Sequence, residues 1–236
     1  MIILPNDFTQ NMFTPAVQPF RERLVNRKFD LFLKRFFDIL ISIICIAILI
    51  PLYIVTFFAV RITSKGRAIF FQTRVGKDGK LFKIFKFRSM VTETNNNSKL
   101  TVGNDDPRIT PIGNFLRTSR IDEFPQFFNV LKGDMSIIGV RPEIPHYFEY
   151  FKQEDYATLL IRPGMTSPAS IKYRHENEML KDSTDPEKKY IEVILPEKMA
   201  VNREYIWNYS LINDIIILGK TFKCLFEKDK DLERLR

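Results

Sequence analysis

The sequence contains few of the residues on which several common kinds of functional site depend. Its two cysteines cannot form a disulfide framework, and Cys45 lies inside an apolar run, so we expect a reducing compartment. The two histidines, His146 and His175, are not at metal-binding spacing, and we interpret both as structural or exposed. The chain has neither a GxxxxGKS loop nor a GxGxxG motif, which argues against P-loop and Rossmann-type nucleotide sites. Its first ten residues also lack the features of a secretory signal.

The charge of the chain is strongly positive. Thirty-six basic residues and 28 acidic residues give a net charge of +8, which favours anionic partners such as lipid head groups, phosphates or nucleic acid. We expect no nucleic-acid partner, because the chain has a long apolar segment and no known nucleic-acid-reading motif. A lipid bilayer and phosphate-containing ligands remain as the expected partners.

The apolar segment at residues 39–60 contains no charged side chain. As a helix it would be about 33 Å long, enough to cross the hydrocarbon core of a bilayer. Pro51 lies near its middle, where it removes a backbone donor and is expected to bend the helix. The segment is therefore predicted to enter a membrane.

Basic residues flank this apolar segment on both sides, and such residues prefer the cytoplasmic face. They are Lys34 and Arg35 before it and Arg61, Lys65 and Arg67 after it. If both flanks stay on one face, the segment must be a re-entrant hairpin bent at Pro51. A bent single crossing is the alternative that the sequence leaves open.

We predict an α+β fold, a mostly helical cytosolic domain with a small β-hairpin, an N-terminal re-entrant membrane helix and amphipathic interfacial helices. The hairpin is expected around the turn Lys77-Asp78-Gly79-Lys80. We divide the chain into an extension with an interfacial helix (1–36), the membrane helix (37–62), the cytosolic domain (63–210), and an amphipathic helix with a charged tail (211–236). Loops are predicted at 1–18 and 92–107, and helices at 20–37, 111–118, 122–132, 146–160, 173–182, 196–209 and 210–226.

Two adjacent acids, Asp122 and Glu123, precede an apolar-periodic segment. Pro125 is tolerated only in the first turn of a helix, so the acids are expected at a helix N-terminus. The helix dipole and the free N–H groups there would keep a carboxylate ionised, as a nucleophile or metal ligand must be. An Asp-Glu pair alone would more often be a capping acid with surface ion pairs.

Basic residues in turn- or proline-marked contexts change this interpretation. They are Lys86, Arg88, Arg117, Arg141 and Arg162, and a proline follows both Arg141 and Arg162. Arginine suits bidentate phosphate binding. Two acids and several arginines together indicate a site for magnesium, or manganese, and a diphosphate, with Asp122 and Glu123 as the metal ligands.

At these residues the sequence resembles the bacterial sugar transferase family, the polyprenyl-phosphate phosphoglycosyl transferases, in its small monotopic form. The resemblance covers roughly residues 34–226. The matching stretches are KRFFDILIS, FFQTRVGKDGKLFKIFKFRSM, DPRITPIGNFLRTSRIDEFPQFFNVLKGDMSIIGVRPE, IRPGMT and NREYIWNYSLINDIIIL.

The resemblance implies a two-step reaction at the cytoplasmic face of the bacterial inner membrane. Asp122 would attack the sugar-linked phosphate of a UDP-sugar and release UMP, and a polyprenyl (undecaprenyl) phosphate would then accept the phosphosugar. Glu123 would help to hold magnesium or orient the pair. Arg117, Arg141 and Arg162 match positions that bind phosphate or nucleotide, and Lys86 and Arg88 match a KFR motif. The resemblance also implies the re-entrant membrane helix.

Two stretches depart from the family pattern. Ile50 precedes Pro51 where the small forms have Ser-Pro, which leaves the bend geometry open. Residues 167–171 replace a tryptophan-containing run that follows the IRPGMT stretch, so no sugar is assigned. The glycan pathway and the oligomeric state are also left open. The rival hypothesis is a non-catalytic module that binds anionic lipids.

Overall fold

The computed structural model describes residues 5–91, 100–103, 106–181 and 183–226. Its strands are β1 Ile69–Val75, β2 Leu81–Phe87, β3 Ser136–Ile138 and β4 Gly164–Thr166. Its α-helices are α1 Pro5–Asn11, α2 Gln18–Val25, α3 Lys28–Thr63, α4 Pro111–Thr118, α5 Gln126–Lys132, α6 Pro168–Lys172, α7 Glu176–Lys181, α8 Pro186–Lys189, α9 Leu195–Trp207 and α10 Leu211–Phe226. The prediction of a mostly helical α+β fold is confirmed. Most of the predicted loop 92–107 and the tail after residue 226 lie outside the described residues.

The apolar segment belongs to α3, which continues without interruption from Lys28 to Thr63. The predicted helix 20–37 is helical except for a break at residues 26 and 27, because α2 ends at Val25 and α3 begins at Lys28. Pro51 lies inside α3 and supplies no backbone N–H for the carbonyl of Ala47. Among the described residues, α3 is the only helix long and apolar enough to cross a membrane, and most of its apolar side chains are exposed.

Both halves of α3 contact the same small part of the protein. Arg35 donates to the carbonyls of Val130 and Leu131, near the end of α5, at 2.7 and 3.0 Å. Tyr53 donates to the carbonyl of Phe124, just before α5, at 2.9 Å. Since α5 has seven residues and is about 10 Å long, both halves of α3 lie close to one short helix.

The predicted β-hairpin is confirmed. Strands β1 and β2 are antiparallel, with Phe70 opposite Lys86. A 3₁₀ turn joins them, and Asp78 and Gly79 adopt the left-handed backbone conformation there, with φ of 57° and 72°. This conformation suits the Asp-Gly sequence that predicted the turn. The hairpin holds Lys86 on β2.

Helix α5 is fixed on β2 by the buried side chain of Asn129. Its Oδ1 accepts a hydrogen bond from Phe85 N at 2.9 Å, and its Nδ2 donates to the carbonyl of Lys83 at 2.8 Å. The two bonds satisfy backbone groups of a strand edge that would otherwise lack partners. They also set the end of α5 nearest Lys86 beside the hairpin.

The N-terminal loop prediction is wrong for residues 5–11, which form α1. Phe8 is fully buried, and its ring centroid lies 4.8 Å from that of Phe148. Phe8 of α1 and Met12, directly after the helix, are both buried, and this burial stabilises a short helix despite Pro5, which occupies the tolerated first position. The predicted helix 146–160 is instead two 3₁₀ segments, Pro145–Tyr150 and Gln153–Leu160.

A second, parallel pair of strands was not predicted. In it Ser136 of β3 pairs with Gly164 of β4, and Ile138 pairs with Thr166. Gly164 is required here, because a Cβ on it would lie 2.1 Å from the backbone nitrogen of Gly139. The pairing sets residues 162–166 alongside the segment that leads to Arg141. Helices α4, α9 and α10 agree with their predictions to within two residues.

Candidate active site

The acidic pair lies in a 3₁₀ turn, Ile121–Glu123, between α4 and α5. Arg120 precedes the turn in the left-handed conformation, with φ of 59°, and its carbonyl accepts a hydrogen bond from Glu123 N at 3.1 Å. The predicted helix 122–132 is therefore wrong in its first turn. Pro125 has no N–H to donate to the carbonyl four residues before it, so the α-helix does not include the acidic pair, and α5 begins after Pro125. A non-glycine residue with positive φ is strained, and such strain clusters at functional sites.

Asp122 is buried, with 5% of its surface exposed. Its Oδ1 has no hydrogen-bond partner among the described residues. Burial raises the pKa of the Asp122 carboxyl, and the charge of Lys86 opposes that rise. A buried carboxylate oxygen without a partner is costly, so its presence here indicates a position that a ligand completes.

Glu123 has the opposite surroundings. Lys86 Nζ and Arg141 Nη2 lie 2.7 and 2.9 Å from its Oε1. Burial alone would raise the pKa of Glu123, but the charges of Arg141 and Lys86 hold it well below its usual range. Direct ion pairs, and not a helix N-terminus, therefore keep Glu123 ionised.

Two further arginines stand near Asp122. Their charges act to lower the pKa of Asp122, against the burial that raises it. Arg117, at the end of α4, is half-buried and its Nη1 lies 3.6 Å from the sulfur of Met90. Arg120 is exposed. Arg120 is the residue that the predicted set lacked, although its place beside the acids was a signal that could have identified it.

The structure places the other two predicted phosphate ligands elsewhere. Arg88 follows the last residue of β2 and is 3% exposed, and its Nη2 donates to the carbonyl and Oγ of Ser64 at 2.7 and 2.8 Å. Arg162 Nε donates to the carbonyl of Gly133 at 2.9 Å. Gly133 caps the far end of α5, about 10 Å along the helix from Asp122. The described contacts thus join Lys86, Arg117 and Arg141 to the pair, and leave Arg88 and Arg162 outside it.

The histidines take no part in this site. His146 Nε2 lies 3.1 Å from Glu187 Oε1, and Arg174 Nε lies 2.7 Å from His175 Nε2. Within the described residues, no group of three or more His, Cys, Asp or Glu side chains could hold a metal ion. A cation at the acidic pair would have at most Asp122 and Glu123 as side-chain carboxylate ligands.

Comparison with known proteins shows which family the chain is similar to. Residues 29–228 match the model of the bacterial sugar transferase family. The chain is 36% identical to the undecaprenyl-phosphate galactose phosphotransferase of Salmonella typhimurium, over 84% of this chain and 41% of that protein. It is 47% identical to a putative undecaprenyl-phosphate N-acetylgalactosaminyl 1-phosphate transferase of Bacillus subtilis, over 52% of this chain and 68% of that protein.

A third relative is the UDP-glucose:undecaprenyl-phosphate glucose-1-phosphate transferase of Escherichia coli, which is 34% identical over 94% of this chain. The chain spans less than half the length of the S. typhimurium and E. coli relatives, 41% and 47%. The family match nevertheless contains the acidic pair and every cation around it. The chain belongs to the bacterial sugar transferase family.

Proposed function

We propose that this protein transfers a sugar 1-phosphate from a UDP-sugar to undecaprenyl phosphate, as the first membrane step of bacterial glycoconjugate synthesis. The observation that carries the proposal is the buried, unpartnered Oδ1 of Asp122 beside a carboxylate that two cations hold ionised. The names of the relatives supply the donor and acceptor classes. The sugar itself stays unassigned.

In the proposed first step, an Asp122 oxygen attacks the phosphorus that carries the sugar. The bond from that phosphorus to the bridging oxygen breaks, and UMP leaves with the electron pair. Arg117 and Arg120, whose charges act on Asp122, would stabilise the negative charge of the donor phosphates. A phosphate oxygen of the lipid then attacks the same phosphorus, forms the diphosphate and releases the Asp122 carboxylate.

Asp122 and Glu123 fit the needs of a magnesium or manganese ion. Magnesium is usually bound by one or two carboxylates together with substrate phosphates, and Oδ1 of Asp122 has no protein partner. Such an ion would neutralise charge on the diphosphate. Lys86 and Arg141 would hold Glu123 in place whether or not the ion is present.

The covalent step is tested by incubating the protein with a panel of UDP-sugars and magnesium, without any lipid acceptor. We expect UMP release of at most one equivalent and a phosphosugar mass adduct on Asp122. Asp134→Asn is a matched control, since Asp134 is paired with Lys132 at the far end of α5. If Asp122→Asn keeps full turnover with lipid acceptor, the nucleophile assignment is wrong.

We also propose that α3 enters and leaves the membrane on the cytoplasmic face as a re-entrant helix. Arg35 and Ser64 would be about 43 Å apart in a straight helix, yet Arg35 contacts α5 and Ser64 contacts Arg88, next to β2. A bilayer core of about 30 Å could hardly separate two residues that contact one folded unit. The exposed apolar face of α10, with Ile212, Ile215 and Phe222, would rest on the same surface.

Cysteine labelling in sealed vesicles tests this topology. After Cys45 and Cys224 are replaced by serine, Lys28→Cys and Lys65→Cys are introduced one at a time. We expect an impermeant reagent to label both positions from the same side of the membrane. Labelling from opposite sides would establish the single crossing instead.

The rival hypothesis, a non-catalytic module that binds anionic lipids, makes a different prediction. Under it the protein would sediment with lipid vesicles but would transfer sugar phosphate from none of the UDP-sugars.

A further inference from the structure

The segment that carries Arg141 is held by its backbone on both sides. Gly164 N donates to the carbonyl of Val140 at 2.8 Å, and Arg74 Nη1 donates to the carbonyl of Pro142 at 2.8 Å. Val75 N donates to the carbonyl of Glu143 at 3.1 Å. Because the main chain is fixed, the orientation of the Arg141 side chain depends on the charged groups around it.

The side chain of Arg141 is attracted by three acids, which form two groups. Glu123 is the first, and its Oε1 accepts a hydrogen bond from Arg141 Nη2. Glu143, two residues further along the same segment, and Glu176 form the second, and their charges act with that of Glu123 to raise the pKa of Arg141. A guanidinium can be drawn toward either group, and only Glu123 belongs to the acidic pair.

A buried lysine compensates the second group of acids. Lys198 of α9 is 5% exposed, and its Nζ lies 3.2 Å from Glu143 Oε1 and 3.0 Å from Glu176 Oε2. It also donates to the hydroxyl of Tyr190 at 2.9 Å, and that hydroxyl donates to Glu143 Oε1 at 3.0 Å. One ammonium thus contacts both acids that compete with Glu123 for Arg141.

We propose that Lys198 is a positioning residue, which neutralises Glu143 and Glu176 and so leaves Arg141 directed to Glu123 and to the donor phosphates. The part of this inference that concerns the donor rests on the proposed function. Charges alternate along a path from Lys86 through Glu123, Arg141 and Glu143 to Lys198. Ion pairs join Lys86 and Arg141 to Glu123 and Lys198 to Glu143, and the opposite charges of Arg141 and Glu143 link the two parts. Helix α9 carries no residue of the acidic site itself, but through this path it sets the geometry of the site.

Removing the ammonium would change which acid Arg141 contacts. In Lys198→Met, Glu143 and Glu176 keep their charges, Arg74 still acts on Glu143, and both acids still attract Arg141. Arg141 would then turn away from Glu123. Adding Glu143→Gln removes one of the two competing acids. The double variant has lost one positive and one negative charge, so the net charge of the cluster is the same as in the wild type. Arg141 can then pair with Glu123 again.

The experiment measures UDP binding to the detergent-solubilised full chain, and the donor KM and kcat for UMP release. We expect Lys198→Met to weaken UDP binding about tenfold or more and to raise the donor KM, with the KM for lipid acceptor unchanged. Lys198→Met/Glu143→Gln should recover UDP affinity to within about threefold of wild type. Lys198→Arg, which keeps the charge, should lie between the two.

Arg203→Gln is the matched control. Arg203 lies on the same helix, and this change breaks a partly buried ion pair with Asp155, which belongs to the 3₁₀ segment Gln153–Leu160. An equal loss of UDP affinity in Arg203→Gln and Lys198→Met overturns the inference, as does unchanged affinity in Lys198→Met. If Lys198→Met does not fold, the double variant decides, and a folded double variant that does not bind UDP overturns the inference. A wild type that binds UDP but forms no adduct contradicts the proposed function and leaves the positioning role standing.

Discussion

Two buried aspartates in this protein have opposite surroundings. Asp214 of α10 accepts hydrogen bonds with both oxygens, from Lys34 Nζ at 2.5 Å and from Tyr205 hydroxyl at 2.7 Å. Asp122 is equally buried, yet its Oδ1 has no partner among the described residues. Both oxygens of Asp214 are hydrogen-bonded within the protein, and this carboxylate joins α10 to α3. Oδ1 of Asp122 is not hydrogen-bonded among the described residues. The difference distinguishes a carboxylate that stabilises the fold from one that is available for chemistry.

The largest effect should come from Asp122, and it should be an effect on activity alone. Asp122→Asn is expected to lower sugar-phosphate transfer by about 10³-fold or more, because it removes the proposed nucleophile. Since the carboxylate has no hydrogen-bond partner at Oδ1, the free energy of unfolding should stay unchanged or rise. UMP release and denaturant unfolding check the two parts. A large loss of stability would remove the contrast with Asp214.

Asp214 should show the reverse pattern. Asp214→Leu would leave Lys34 buried without its partner, and we expect a loss of about 3–5 kcal/mol in the free energy of unfolding. Lys34→Met/Asp214→Leu should recover most of that loss, because no charge stays unpaired. Chemical unfolding in detergent measures both variants. Equal stability of the single and double variants would contradict the assigned role of the ion pair.

A change of pH dependence should sharpen the assignment of Asp122. Burial raises its pKa, and Lys86, Arg117 and Arg120 oppose the rise. In the proposed reaction Asp122 must be ionised to attack, so we expect activity to fall as the pH decreases through the pKa of Asp122. Arg117→Gln removes one opposing charge, raises the pKa of Asp122 further and should move the acid limb of kcat/KM to higher pH. Arg23→Gln, which alters a residue stacked on Trp207, should leave the limb in place.

The smallest effect is expected at Arg162. Its contact with the carbonyl of Gly133 places it at the far end of α5 from Asp122. Arg162→Gln should therefore lower kcat/KM less than about tenfold, whereas Arg141→Gln should lower it about 100-fold. Steady-state kinetics with the same donor compares them. Equal losses would mean that Arg162 reaches the donor despite its position.

Local patterns were sufficient for much of the secondary structure. The Asp78-Gly79 turn, with apolar residues alternating on either side, predicted the hairpin. Pro111 agrees with the start of α4, because proline is favoured in the first turn of a helix. The failures have a common cause. Phe8 makes α1 stable by burial against Phe148, a contact 140 residues away that no local pattern contains. The short parallel strands β3 and β4 likewise depend on each other and give no signal alone.

The candidate site divides in the same way. The adjacent acids, and the basic residues in turn- or proline-marked contexts, were visible in the sequence. Their partners were not, because an ion pair such as Lys86 with Glu123 joins residues 37 positions apart. Lys198 had no signal at all, because a single lysine within a helix usually faces solvent.

The sequence by itself determined the uncharged apolar segment, the proline within it, and the acidic pair followed by Pro125. These depend on side-chain polarity and backbone chemistry that each residue carries with it. Tertiary structure decided which cations meet the acids. Arg141 and Arg162 both precede a proline, yet one contacts Glu123 and the other the end of α5. The pairing of β3 with β4 sets their positions, and charges interact through distance in space, not through separation along the chain.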